Sequence, residues 1–290
     1  MRTSLECLSC IVRQAVESSK LLISDEQKIL EIMKKVFLQL AQSKLEAPPP
    51  DIVQPVHAII RKELGHDDPY WEIKKRSTQH ALELAQKAEP AIAEANDSFQ
   101  LALAFAIAGN ILDFGMKTEW DERGIAATFQ QTFAQSKKFD KNTVRTLYHE
   151  IESADTVLVL GDNAGEAVFD RLFMRQFPGN GKIYYAVKGS PVINDVTQAE
   201  ALESGIDKVA EIISNGTDIP GTSLPKCAPE FVELYHSADV VISKGQGNYE
   251  TLNEEKRKIW FLFQVKCAVI ANHYGHKLKD WLVLESEMKG

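Results

Sequence analysis

As far as Ser153, apolar residues recur at intervals of three and four, the spacing that lines one face of a helix. Residues 5–20 carry Leu5, Leu8, Ile11, Val12, Ala15 and Val16 at that spacing. Residues 25–40 carry Ile29, Ile32, Met33, Val36 and Phe37, with Ser24 as the expected cap. Ala47-Pro-Pro-Pro50 breaks the pattern, and residues 52–64 resume it. Asp68-Pro69 is expected to open a long helix, since proline is at home in a first turn. Residues 100–112 are small and apolar on nearly every side, which predicts a central buried helix running into Gly109-Asn110-Ile-Leu-Asp113-Phe-Gly115. From Asp155 the pattern changes. Strand-like runs at 156–160, 182–187, 209–213, 239–243, 259–263 and 281–284 alternate with helical stretches. Such alternation implies βαβ crossovers and a mainly parallel sheet. The expected architecture is α/β, with a helical region over 1–153 packed on a sheet domain over 154–290.

The most informative stretch is Thr156-Val-Leu-Val-Leu-Gly161 followed by Asp162-Asn163-Ala164-Gly165-Glu166. Its first half reads as a strand buried on both faces, and its second as a tight turn into a helix beginning near Ala167. Asp162 and Asn163 then stand at the carboxyl end of a strand, where open α/β sheets bind ligands. Two readings are open. The pair caps the helix, or it offers hard oxygen ligands to a cation such as Mg²⁺ or Mn²⁺.

Charge and cysteine content narrow the classes. With 33 basic against 41 acidic residues the net charge is −8, which argues against a general nucleic-acid binder. A small anionic substrate remains compatible, because a few lysines beside a metal suffice. No apolar run reaches the length of a membrane span. The first residues, Met-Arg-Thr-Ser-Leu-Glu-Cys, hold no signal-peptide core, so a cytoplasmic location is expected. Four cysteines, Cys7, Cys10, Cys227 and Cys267, are too few for a disulfide scaffold in 290 residues.

Polar, glycine-containing loops follow four of the expected strands: Gly161 to Glu166, Lys188 to Thr197, Ser214 to Thr222, and Lys244 to Glu250. On adjacent parallel strands they converge on one rim. Converged, Asp162, Asn163 and Asp195 are candidates to hold one hard cation with positions left for water and substrate. Lys188 and Lys244 are candidates to neutralise a phosphate, and glycines such as Gly245, with the helix starts, offer it backbone N–H donors. One carboxylate then serves as nucleophile or as base toward the attacking water. Each piece has a plainer reading: Asp195 also suits a helix cap, and a lysine beside glycine also suits a solvated loop. The Walker signature and the dinucleotide fingerprint are both absent.

Four motifs in order carry a resemblance: Gly109-Asn110-x-x-Asp113, Gly161-Asp162-Asn163-Ala-Gly165-Glu166, Lys188-Gly-x-Pro191 with Asn194-Asp195-Val-Thr197, and Ser243-Lys244-Gly245-x-Gly247-Asn248. Together they resemble the damage-control phosphatase family, also known as domain of unknown function 89, over essentially the whole chain. Cys7-x-x-Cys10 resembles its microbial and archaeal branch. The resemblance implies a helical part on a Rossmann-like α/β domain, with a divalent metal at Asp162, Asn163 and Asp195. It implies hydrolysis of small phosphorylated metabolites, notably sugar phosphates and damaged phosphometabolites, with Mn²⁺, Co²⁺, Ni²⁺ or Mg²⁺. Lys244 corresponds to the family's phosphate-contacting lysine. Asn110, Asp113, Glu166 and Asn248 fall on motif positions with supporting or substrate-facing roles.

Cys7 and Cys10 sit one helical turn apart and can face the same way. No second Cys-x-x-Cys follows to complete a structural zinc site, so small core residues are weighed against a metal or redox role. His273 and His276 receive no role. Two other functions are set against the phosphatase: an S-adenosylmethionine-dependent methyltransferase, and a metal- or phospho-ligand-binding protein without turnover. The aspartate–asparagine pair argues against the first; the second predicts saturable binding of a phosphorylated ligand with no phosphate released.

Overall fold

The computed structural model describes residues 1–110 and 122–286. Three helices come first: α1 (Leu5–Lys20), α2 (Glu26–Gln42) and α3 (Pro49–Leu64). They close on a core of their own that includes Ile11, Ala15, Ile32, Val36, Val56 and Ile60. Asp25, rather than the expected Ser24, caps α2, because its carboxylate reaches the N–H groups of Gln27 and Lys28. Helix α3 begins ahead of expectation at Pro49, since prolines in a first turn lack only N–H groups that have no helical partner. Asp68 does lead into a long helix, α4 (Trp71–Ala93): it accepts the Tyr70 N–H at 3.1 Å and pairs with Lys74 at 2.6 Å. Helix α5 (Ser98–Gly109) is buried on nearly every side, as its composition predicts. Residues 111 and 112 of the expected helix lie outside the described residues. Helices α6 (Glu122–Ser136) and α7 (Lys141–Ser153) follow.

Strands and helices then alternate through β1 (Thr156–Leu160), α8 (Glu166–Met174), β2 (Lys182–Val187), α9 (Gln198–Glu203), β3 (Glu211–Ser214) and α10 (Pro229–Ser237). The second half continues with β4 (Val240–Lys244), α11 (Gln246–Leu252), β5 (Trp260–Gln264), α12 (Ala268–Tyr274) and β6 (Trp281–Glu285). β1 and β2 have the expected bounds. β3 starts two residues late because Ile206–Lys208 forms a 3₁₀ turn after Gly205, whose φ is 75°. The strand order is β3-β2-β1-β4-β5-β6. All neighbours are parallel except β5 and β6.

Side-chain alternation assigns the two faces. Val157 and Val159 join a core with α4, α5, α7 and α8 that also takes in residues as far along as Trp281. Leu158 and Leu160 join a core with α10, α11 and α12. Because α8 follows β1 to one face while α11 follows β4 to the other, the chain diverges between β1 and β4. That cleft at the carboxyl edge is the topological switch point where doubly wound sheets place their ligands. The α1–α3 bundle reaches the same edge through polar clips. Arg61 meets Asp218 at 2.5 Å and the Pro191 carbonyl at 3.1 Å, and Asp51 meets Lys226 at 3.3 Å. Among the described residues no helix is long and apolar enough to cross a membrane.

Candidate active site

The loops after β1 and β2 are zipped together by backbone bonds. Val196 N–H donates to the Asp162 carbonyl at 2.8 Å, Ala164 N–H to Asn194 at 3.0 Å, and Asn163 and Asp195 form an isolated bridge. Asp162, Asn163 and Asp195 are thereby brought side by side. Gly161 lies so close to Tyr185 that a Cβ would stand 2.6 Å from its hydroxyl. From the other side of the switch point, Gly245 at φ +79° presses on the Asp162 carboxylate, and a Cβ there would lie 2.0 Å from Oδ2. Both the backbone angle and the contact demand glycine. Its N–H donates to the Leu262 carbonyl at 3.2 Å and belongs to the strand edge.

Two amides hold the carboxylates. Asn110 Nδ2 donates to Asp162 Oδ2 and to Glu166 Oε2, both at 2.6 Å. Asn163 Nδ2 donates to the same two oxygens at 2.9 and 3.1 Å. Lys244 is fully buried behind them. Its ammonium donates to the Ala106 carbonyl at 3.0 Å, to Glu166 Oε1 at 2.6 Å and to Asp170. The Tyr185 hydroxyl donates to the second Asp170 oxygen at 2.8 Å. A continuous polar chain therefore runs Tyr185, Asp170, Lys244, Glu166, the two amides, Asp162. Asp170 and Tyr185 escaped the sequence reading. The available signal was a lone carboxylate one turn beyond Glu166 on an otherwise apolar helix face.

Lys188, 3% exposed, donates to the Gly221 carbonyl at 2.6 Å and stands 3.5 Å from Asp195 Oδ2. Asn248 donates to the Gly161 and Lys244 carbonyls and accepts from the Thr222 hydroxyl at 2.7 Å, tying three loops together. Asp113 lies outside the described residues.

Burial dominates the electrostatics. Desolvation, with the Glu166 charge added, raises the Asp162 carboxyl. Desolvation pushes Asp195 up to about 7 against the pull of Lys188, with Asp162 adding to the rise. Asp170 rises to about 7, again through burial and despite Lys244. Burial works to lower Lys244, but Asp170 and Glu166 more than reverse it and hold the ammonium protonated. Among the described residues at this centre, four buried carboxylates (Asp162, Glu166, Asp170 and Asp195) face two buried lysines, Lys188 and Lys244. Among the described residues, Asp195 Oδ2, with the Lys188 ammonium 3.5 Å away, and Asn110 Oδ1 are buried with no hydrogen-bond partner. The described residues contain no cluster of three His, Cys, Asp or Glu side chains arranged as a metal site. The oxygen set at hand is instead two carboxylates and an amide. It is hard, anionic and only partly satisfied, and it fits a divalent cation.

Fold and site together suit an α/β protein that handles phosphoryl groups: acidic oxygens at the switch point, two buried lysines beside them, and no dinucleotide loop. Residues 3–282 match the damage-control phosphatase ARMT1-like domain, and the chain belongs to that family of phosphatases. It is 31% identical over 291 residues to an uncharacterized protein of Methanocaldococcus jannaschii, covering 97% of this chain and 94% of that one. It is 30% identical to a damage-control phosphatase of Pyrococcus horikoshii, covering 93% of each. The crystal structure of a DUF89 family protein from Pyrococcus horikoshii superposes with a TM-score of 0.89 at 29% identity, covering 99% of this chain and 100% of that one.

Proposed function

We propose that the chain hydrolyses phosphomonoesters of small metabolites, using a divalent cation held by Asp162, Asn163 and Asp195. The observation that carries this reading is the imbalance of charge. Among the described residues, two more carboxylates than lysines are buried at the switch point, and one Asp195 oxygen has only the Lys188 ammonium, 3.5 Å away, to face it. A bound Mn²⁺, Co²⁺, Ni²⁺ or Mg²⁺ supplies the missing positive charge and polarises a phosphoryl oxygen.

The remaining roles belong to side chains of this protein. Asn110 and Asn163 fix Asp162 and Glu166 by donating to one oxygen of each, so the carboxylates need no reorganisation during reaction. Lys188, beside Asp195 and bonded to the Gly221 carbonyl, is the cation assigned to the phosphate in this reading. Lys244 makes three bonds inside the protein, so it supports the phosphate by orienting Glu166 and contributing its charge from behind. Asn248 and Gly245 shape the cleft. Sugar phosphates and damaged phosphometabolites are the proposed substrates.

The test is phosphate release from p-nitrophenyl phosphate and a panel of sugar phosphates by chelated protein, with each metal restored in turn. Activity restored by metal and lost in Asp162→Ala is the expected result. Metal-independent turnover, or full activity in Asp162→Ala, overturns the assignment. Tight binding of an adenosyl cofactor with no phosphate released points instead to the methyltransferase.

A further inference from the structure

A cavity of about 270 Å³ lies between the α1–α3 bundle and the carboxyl edge of the sheet. Its walls on the bundle side include Cys10, Ile11, Pro50 and Val53, and on the sheet side Ile193, Pro220, Cys267 and Val269. Three of the sheet-side loops also build the phosphate site. Ile193 stands two residues before Asp195. Pro220 precedes Gly221, which accepts from Lys188. Gln246, another wall residue, follows the Gly245 that presses on Asp162. Ile193 is held at φ 47°, which a β-branched residue adopts only under constraint. Its side chain packs against the core of the bundle.

The chemistry of the lining is one-sided. Among its described residues are two carboxyl groups, Glu6 and Glu250, and no lysine or arginine. Gln246 is spent on internal bonds, donating to Glu250 at 2.8 Å and to the Cys267 sulfur at 3.5 Å. Burial raises the Cys267 thiol, so that wall stays uncharged. The described lining therefore offers a phosphate no ammonium or guanidinium of its own. A space of about 150 Å³ admits benzene, so this one holds a ring system with substituents.

We propose that this cavity receives the organic half of the phosphoester, and that the preferred substrates carry a compact apolar, uncharged or cationic group and no second anion. The inference rests on the phosphatase reading and names the substrate class within it. Phosphate sits at Lys188 and Asp195, and the alcohol points across the Ile193 and Gln246 loops into the space under the bundle.

The experiment uses 2-naphthyl phosphate, glycerol phosphate and the product 2-naphthol with the full chain. First, 2-naphthol is added during alkylation of the thiols, followed peptide by peptide, with Cys227 outside the cavity as internal reference. Protection of Cys10 and Cys267 relative to Cys227 is expected. Second, Cys10→Trp, at an exposed position, and Val269→Trp, at a half-buried one against the sheet core, fill the space from two sides. Each is expected to lower the ratio of kcat/KM for 2-naphthyl phosphate over glycerol phosphate by at least about tenfold, the scale of apolar-pocket discrimination. Hydrolysis with no selective protection, or with that ratio unchanged in both variants, overturns the cavity assignment and leaves the phosphatase intact. Selective protection without phosphate release from any ester under any metal overturns the phosphatase reading and, with it, the cavity's role as a substrate site.

Discussion

The contact between Gly245 and Asp162 shows how little freedom the centre has. Gly245→Ala places a methyl group on a carboxylate 2.0 Å away and forces φ +79° on an L side chain. A displacement of about 1 Å at a catalytic group costs on the order of a hundredfold in rate, so phosphatase activity is expected to fall at least that far. Steady-state assay with restored metal checks it, and near-native turnover would show that Asp162 moves aside at no cost. Lys244 presents a different case. Lys244→Met leaves Glu166 and Asp170 buried without their cation, and breaking a buried pair from one side costs about 3–5 kcal/mol. A lowered urea midpoint is the expected readout, in apo and metal-loaded protein alike. The sequence marks Lys244 as chemically conspicuous because it follows a strand and precedes glycine. Its partners are invisible there: Ala106 and Asp170 lie 138 and 74 positions away. Asp162, Asn163 and Asp195 were more legible, since each sits in a short polar loop directly after an apolar strand.

At the scale of elements, α5 and α8 cross closely enough that a Cβ on Gly109 would lie 2.9 Å from the Phe169 ring and 3.2 Å from the Glu166 Cα. Gly109→Ala is expected to cost about 1–3 kcal/mol, the usual penalty of overpacking. It should also lower activity, because the same crossing sets Glu166. Thermal unfolding beside the phosphatase assay tests this, and a loss of stability alone would separate the crossing from the site. β1 and β2 could be bounded from sequence because β-branched and aromatic runs stop abruptly at glycine or a charged loop. The start of β3 could not, since Val209 and Ala210 read as strand while Gly205 leads the chain into a 3₁₀ turn. Helix α3 starts ahead of its apolar pattern for a related reason: Pro49 and Pro50, which read as a break, form its first turn.

The whole molecule carries its buried acids at a cost that depends on pH. Asp170 and Glu250 both rise to about 7, chiefly through burial, whereas in the unfolded chain they titrate near the ordinary carboxylate range of about 4. Between those values the folded protein holds protons that the unfolded chain has released, so stability falls as pH rises through that window. Chelated protein is therefore expected to melt at a higher temperature at pH 5 than at pH 8. Added divalent cation should recover much of the difference at pH 8, and differential scanning calorimetry checks both. A flat profile without metal would mean that these acids are charged at no penalty. The α1–α3 bundle, with its own core and polar clips to the sheet edge, bears on timing. Units joined by few apolar contacts open at lower free energy than the core they rest on. Amide hydrogens of α1 and α2 are expected to exchange with deuterium well before those of α5 and β1. If they do, the roof of the cavity opens far more readily than its floor, and the space beneath it is reached by a fluctuation of the bundle that leaves the sheet intact.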